Sequence, residues 1–399
     1  IYLAGFEYAV KVVRPWTVMA AYNLVNGTYA TDNQVLLTQI LRDEWGFDGL
    51  VMSDWGATND RVAGVVAGMD LEMPDSKGAF DQQVRAALAT GRLTAADVQR
   101  CADRVVALVA RSPRQPGPAV DPAAHHDLAR RAAARSAVLL TNDGLLPLQA
   151  QQSVALIGAF AEQPRFQGAG SSLVNAVQVT TARDAFLDRG IDVTYAPGYH
   201  ADGSAPDPRL LAEAVTAAAS ADVVVLMVGL PGLFESEGYD RDHLQLPAEQ
   251  VDLIAAVCAV NPRTVVALSN GSAVTMSWVK APAAILECYL GGQASGAALA
   301  DVLYGEEEPA GRLAETFPVR AEDVSSDPYF PGAPHQVEYR EGLYVGYRYM
   351  TTAGVEPLFA FGHGLGYSRF EIGACSAQAD VTAGADVNVS VQVNNIGQR

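Results

Sequence analysis

The sequence predicts an α/β fold with parallel strand–helix units of a barrel type first, an open doubly wound sheet second, and the start of an all-β module last. Three observations carry that reading. Apolar strand-like runs alternate with segments of helical spacing over residues 1–112, and again over 136–320; such alternation implies parallel βα units. A Pro- and Gly-rich stretch, SPRQPGPAVDP (112–122), lies between them and reads as a linker or an exposed crossover. From residue 372 the text becomes alternating, as in ADVTAGADVNVSVQVNN, which is the period of a half-buried strand.

In the first segment WTVMAAY (16–22) reads as a buried strand. NQVLLTQILRDEW (33–45) has apolar residues at helical spacing, with Thr31 or Asp32 as its N-cap. GLVMSDW (49–55) reads as a strand that ends in polar residues, 59–67 as a helix, GMDLEM (68–73) as a strand, and 79–90 and 95–111 as helices. Residues 113–135 are assigned to a linker that turns helical, and SAVLLTND after it is strand-like. The second segment has strands at 153–160, 192–198, 222–229, 264–271 and 283–290, with helices at 208–219, 247–259 and 293–303. That order predicts a doubly wound sheet. Residues 321–371 are dense in Pro, Gly and Tyr and read as a long ordered arm, and 372–399 as the all-β start.

Composition narrows the function classes. The 399 residues hold 27 Lys plus Arg against 45 Asp plus Glu, a formal charge of −18. So acidic a chain repels phosphate backbones and anionic lipid, which argues against nucleic-acid and membrane-surface partners. Hydrophobic residues make up 49%, enough for large cores. Four scattered cysteines (Cys101, Cys258, Cys288, Cys375) read as reduced, buried thiols and favour a cytoplasmic over a secreted setting. The six histidines lack metal-ligand spacing; His125 and His126, beside the linker, read as solvated, and neither a metal nor an organic cofactor is expected. RFQGAGSSLVNA (165–176) lacks both the dinucleotide and the P-loop glycine spacing and reads as a tight loop beside a pocket.

Two places carry acids where chemistry could sit. Asp54 lies at the carboxyl end of a predicted strand, the end at which parallel α/β proteins place their sites. A carboxylate beside the flat ring of Trp55 suits a sugar: charge for an oxocarbenium-like centre, an apolar face for stacking. The bland alternative is that Asp54 caps the next helix. LPGLFESEGYDRDHLQLP (230–247) follows a buried strand and crowds Glu235, Glu237, Asp240 and Asp242 together. Crowded like charges raise a carboxyl pKa as a general acid requires, although a solvated acidic loop has the same composition.

MAAYNLVNG (19–27), LLTQILRDEWGFDGLVMSDWGA (36–57) and AGMDLEMP (67–74) resemble the nucleophile region of family 3 glycoside hydrolases. SAVLLTNDGLLPL (136–148) resembles the start of that family's second domain, RFQGAGSS its substrate-side loop, and FESEGYDRDHLQLP the acid/base loop of its β-glucosidase branch. PAGRLAETFP (309–318), YREGLYVGYRYM (339–350) and PLFAFGHGLGYSRFE (357–371) resemble segments leading into a fibronectin type III-like domain. Gly366 and Tyr289 depart from the family's usual Ser and Trp.

The resemblance implies a retaining, exo-acting β-glycosidase, most readily a β-glucosidase acting on a β-glucoside or oligosaccharide. Asp54 would be the nucleophile and Glu237 the general acid/base, with Glu235 the runner-up. Tyr22 and Met19 would line the glycone subsite, and Trp55 the wall shared with the aglycone. The site would be a cleft to which both α/β segments contribute. Asp54 would need a low pKa and Glu237 one nearer neutrality. Alternatives are a β-xylosidase or arabinosidase of the same family, or a non-catalytic carbohydrate-binding module. The family also uses an Asp, an Arg and a Lys-His pair upstream of the first residue here, so the expectation is a fragment that is inactive by itself. Oligomeric state stays open.

Overall fold

Strands that are apolar on both faces need cover on both faces. Of the two units, Ile1–Ala119 and Val120–Arg399, the second covers its central strands fully, whereas the strand expected to be buried at 16–22 leaves Met19 59% exposed. The structure, a computed structural model, describes residues 1–113, 117, 119–378 and 380–397. Residues 114–116 and 118 of the expected linker lie outside the described residues.

In the first unit α1 (Ala4–Tyr8) runs into a wider helical turn at Ala9–Val13. β1 (Thr17–Ala20) follows, then a ribbon of β2 (Leu24–Val25) and β3 (Thr28–Tyr29), a helix at Val35–Glu44 and β4 (Leu50–Ser53). β1 and β4 pair in parallel, Thr17 opposite Leu50 and Ala20 opposite Ser53. The strand expected over 68–73 contracts to a parallel bridge from Leu71 to Met52. Helices α2 (Arg61–Ala67), α3 (Ala79–Ala89) and α4 (Ala95–Arg111) complete the unit. Val10, Leu37, Leu41, Val51 and Met69 are its buried centre.

The Val35–Glu44 helix is wound wider than an α-helix, with Trp45 N–H donating to Ile40 C=O at 3.0 Å. Neither Thr31 nor Asp32 caps it. Asn33 does, its Oδ1 accepting from Leu36 N–H at 3.1 Å. Thr31 is fully buried and turns its hydroxyl to Ala57 C=O at 3.3 Å instead.

One buried carboxylate ties this unit together. Asp70, 3% exposed, accepts from Arg42 Nη2 at 2.8 Å, Arg104 Nη1 at 2.7 Å and the Val51 N–H at 2.9 Å. The three donors come from the wide helix, α4 and β4. A charge withdrawn from water is tolerable when its lone pairs are filled in this way.

The second unit opens with α5 (Pro122–Ser136), which takes up most of the stretch 113–135 assigned to a linker and ends one residue beyond it. Asp121 caps it and Pro122 occupies its first position, where a missing N–H costs nothing. β5 (Val138–Asn142), β6 (Val154–Ile157), α6 (Ala182–Asp188), β7 (Val193–Ala196), α7 (Pro208–Ser220), β8 (Val223–Gly229), α8 (Ala248–Val260), β9 (Thr264–Ser269), β10 (Ala284–Glu287) and α9 (Ser295–Leu303) follow. They form one six-stranded sheet in the order β5-β10-β9-β8-β6-β7. β5 is antiparallel to β10, and the other pairs are parallel. Every side chain of β8 and β9 is buried. Asp301 of α9 accepts from Arg130 of α5 and from Arg189 just beyond α6, fastening these elements to one another. The short helix α6 was not legible in the sequence.

The chain turns back and forth between the sheet's two sides at β6. The strand that follows it, β7, lies on one flank; the next, β8, lies on the other. The two backbones come close there. A Cβ on Gly158, at the end of β6 with φ +116°, would sit 2.0 Å from Met227 O, so no other residue fits.

The Pro- and Tyr-rich arm carries a single helix, α10 (Tyr347–Ala353), besides short turns. Bridges from Phe317 to Phe359 and from Leu139 to Leu365 join it to the edge of the sheet. β11 (Phe370–Ala377) and β12 (Val389–Asn395) then form an antiparallel pair. All four cysteines are unpaired; Cys101 is buried, whereas Cys375 is exposed in β11, contrary to the expectation of burial.

Asp70→Asn leaves Arg42 and Arg104 without their shared anion. It is expected to destabilise the chain by about 3 kcal/mol, read as a lower urea midpoint; a loss below about 1 kcal/mol would contradict the anchoring role.

Candidate active site

Parallel sheets present their following loops at one edge, the carboxyl ends of the strands, and both predicted carboxylates lie at such edges. In the first unit Asp54 directly follows β4 and Tyr22 lies two residues beyond β1. The Tyr22 hydroxyl donates to Trp55 C=O at 2.8 Å, and Asp54 N–H donates to Ala20 C=O at 2.8 Å. These bonds gather Tyr22, Asp54 and Trp55. Met19 joins them from β1, opposite Met52. Asp54 is half-buried, and its Oδ1 accepts the Trp55 N–H at 2.6 Å. Met19, Tyr22 and Trp55 are 59%, 53% and 63% exposed, an unusual concentration of bare apolar surface around one acid.

The capping alternative for Asp54 is excluded. Asp60 caps α2, its Oδ1 accepting from Val62 N–H at 2.8 Å and Ala63 N–H at 3.0 Å.

In the second unit the loops after β6 and β8 flank the reversal of strand order, the position at which open α/β sheets bind ligands. The loop after β6 holds Arg165–Ser172 and the loop after β8 holds Glu235 and Glu237. Three of the four acids crowded in sequence have different partners. Glu235 is half-buried, accepting from Gly271 N–H at 2.7 Å and Ser272 Oγ at 2.9 Å, with Arg241 Nη1 3.9 Å away. It fastens its loop to the turn after β9. Glu237 is exposed and accepts from Ser171 N–H at 2.5 Å. Asp242 is 96% exposed and lies 3.8 Å from His243.

One expectation is reversed. Glu237 is held below the usual carboxylate range by the Ser171 hydroxyl and N–H, because both favour the ionised form. Of the two glutamates, Glu235 is occupied as an anchor and Glu237 is the one open to solvent.

Three polar residues at this edge escaped the sequence reading. Glu287 ends β10 fully buried, accepting from Tyr289 N–H at 2.9 Å and Asn270 Nδ2 at 3.0 Å. Burial pushes its carboxyl up to about 8, against those two hydrogen bonds, and the negative charges of Glu315 and Glu235 push the same way. Glu315, half-buried, is likewise raised by burial. Arg165 spans both loops, as set out below. The lone acid in AAILECYL was the one available signal for Glu287. His126, expected to be solvated, is half-buried between Thr180 Oγ1 and Gln293 Nε2, each at 2.9 Å. Among the described residues no group of three or more His, Cys, Asp or Glu could hold a metal.

A parallel α/β chain with acids and aromatic rings at its strand ends has the makings of a glycoside hydrolase. The comparisons agree. Residues 1–108 match the glycosyl hydrolase family 3 N-terminal domain and residues 137–367 the family 3 C-terminal domain. The chain belongs to glycosyl hydrolase family 3. It is 47% identical over 405 residues to thermostable beta-glucosidase B of Acetivibrio thermocellus, covering 100% of this chain and 54% of that protein. It is 43% identical to an exo-alpha-(1->6)-L-arabinopyranosidase of Bifidobacterium breve, covering 98% and 53%. The family 3 beta-glucosidase structure from Bifidobacterium adolescentis superposes with a TM-score of 0.94 at 43% identity, over 99% of this chain and 58% of that one. DesR, a beta-glucosidase from Streptomyces venezuelae in complex with D-glucose, gives 0.90 at 29% identity, over 100% and 66%. The chain thus spans about half the length of the relatives it matches.

Glu287 makes a pH prediction. The folded protein keeps a proton on it to about pH 8, whereas the unfolded chain releases that proton near pH 4. Stability from this group is complete below the unfolded pKa and falls as the pH rises toward 8. Glu287→Gln should therefore flatten the decline of Tm between about pH 5 and 8; parallel wild-type and variant slopes would contradict the assignment.

Proposed function

We propose that the protein is a retaining, exo-acting β-glucosidase that removes terminal non-reducing β-D-glucosyl residues. The observation that carries this reading is Asp54: an acid at the carboxyl end of β4, relieved of capping by Asp60 and ringed by Met19, Tyr22 and Trp55. The family membership and the beta-glucosidase relatives support the same reaction.

Asp54 attacks the anomeric carbon as the bond to the leaving oxygen breaks, and Glu237 donates its proton to that oxygen. The sugar is left as an ester on Asp54. Water then adds to the anomeric carbon while Glu237 takes its proton, and Asp54 leaves. The Ser171 donors favour ionised Glu237, which is the form the second step needs; the first step requires its protonated form. Tyr22, Met19 and Trp55 bind the sugar through ring faces and apolar contact. The reaction calls on no metal or organic cofactor.

The same reading extends to architecture. Residues 1–112 are part of a (β/α)8-type barrel carrying the nucleophile, 113–135 a connection, and 136–320 an α/β sandwich carrying the acid/base loop. Residues 321–371 form an arm leading to 372–399, the start of a fibronectin type III-like domain. The parallel β1–β4 pair, the six-stranded sheet and the β11–β12 pair support these assignments in turn.

A second reading has one specific support, the arabinopyranosidase relatives at 43% and 44% identity. α-L-Arabinopyranosides lack the C6 hydroxymethyl of a hexoside, so the pocket at C6 decides. Rates of the full-length protein on aryl β-glucoside and aryl α-L-arabinopyranoside separate the two, with the glucoside expected to be faster.

Incubating the full-length protein with a 2-deoxy-2-fluoro-β-glucoside should leave the sugar on Asp54, read by peptide mass spectrometry; label on another residue would refute the nucleophile. Glu237→Ala should cost about 100-fold or more on poor leaving groups and far less on activated ones, with azide restoring turnover. The same pattern in Glu235→Ala and its absence in Glu237→Ala would transfer the acid/base role to Glu235.

A further inference from the structure

The Gly-rich loop after β6 touches the loop after β8 at several points, and one side chain makes most of the bonds. The half-buried Arg165 spreads its guanidinium over three carbonyls: Nε donates to Leu230 at 3.1 Å, Nη1 to Gln167 at 2.7 Å and Nη2 to Glu235 at 2.8 Å. Gln167 belongs to its own loop; Leu230 and Glu235 open the other. Five residues beyond Arg165, Gly170 (φ +81°) lies so close to Glu237 that a Cβ there would be 2.7 Å from both Cβ and Oε2 of the glutamate. The next residue, Ser171, donates its N–H to Oε2.

We infer that Arg165, Gly170 and Ser171 are positioning residues that aim the Glu237 carboxylate, Arg165 by holding the two loops in register and Ser171 by gripping the acid itself. The inference rests on the reading of Glu237 as acid/base. Geometry explains why these residue types are used. A guanidinium carries five donors in a rigid planar fork and so reaches carbonyls spread across two loops, whereas the three donors of an ammonium share one nitrogen. Lysine keeps the charge and loses the fork. Only glycine leaves room for Glu237 at position 170. The grip also bears on proton affinity: donors to the charged form hold Glu237 ionised, so their removal lets it keep its proton to higher pH.

The test compares aryl β-glucosides of rising leaving-group pKa with the full-length protein and its Arg165→Ala, Arg165→Lys, Gly170→Ala, Ser171→Ala and Glu237→Ala variants. Misplacing a general acid penalises poor leaving groups selectively. Arg165→Ala and Gly170→Ala are expected to lose at least about 30-fold in kcat/KM on the phenyl glucoside and under about 5-fold on the 2,4-dinitrophenyl glucoside. Arg165→Lys should not recover the phenyl rate. Ser171→Ala should move the alkaline limb of kcat/KM to higher pH. Equal losses on all substrates, or an Arg165→Lys variant of full activity with an unmoved Ser171→Ala profile, would overturn the inference. Should Glu237→Ala itself show no leaving-group selectivity, the acid/base reading would fall, and the inference with it.

Discussion

The reversal of strand order at β6 is the constraint on which the second unit's chemistry depends. In a sheet wound one way, successive loops lean in one direction and pack on one another. Where the winding reverses, the loops after β6 and β8 meet at the carboxyl edge of the sheet, and polar side chains join them there. Arg165 joins the loops, Glu235 fastens the second of them to Gly271 and Ser272, and Glu237 is left projecting.

A second regularity concerns how each unit is braced. Each has one nearly buried aspartate that takes two arginines: Asp70 with Arg42 and Arg104, Asp301 with Arg130 and Arg189. Such clusters are weak sources of net stability, because desolvation opposes the attraction. Their effect is to set register. Asp70 also accepts the Val51 N–H, which fixes the strand that ends at Asp54. Asp301 joins α5 to α9 and to the end of α6. The acidic composition that argues against anionic partners thus coexists with internal arginines placed where elements must meet.

Much of the architecture was legible because periodicity and burial agree. The runs around DVVVLMVG and TVVALSNG have apolar, β-branched centres, and β8 and β9 within them are wholly buried. Helices read at 95–111 and 208–219 agree with α4 and α7 to within a residue, and in the structure Thr94 and Asp207 cap them. What was missed depends on tertiary contact. GMDLEM reads as a strand, but its backbone is claimed by Val51 and Ser53 at one bridge. The cap of the 35–44 helix moved to Asn33 because Thr31 is drawn into the core. At the site, the Asp54 group was visible in two motifs, Met19 and Tyr22 in one and Asp54 and Trp55 in the other. The lowered pKa of Glu237 was missed because its donor, Ser171, lies 66 residues away along the chain. Arg165 left no pattern of its own, since its partners are backbone carbonyls 65 and 70 residues away.

We propose two successive displacements, with Asp54 as nucleophile and Glu237 as acid/base. The stereochemistry of the product tests this proposal most directly. Proton NMR of the full-length protein turning over an aryl β-glucoside should show β-glucose as the first anomer formed, with α-glucose arriving at the rate of mutarotation. α-Glucose as the first product would mean a single displacement by water and would contradict the account.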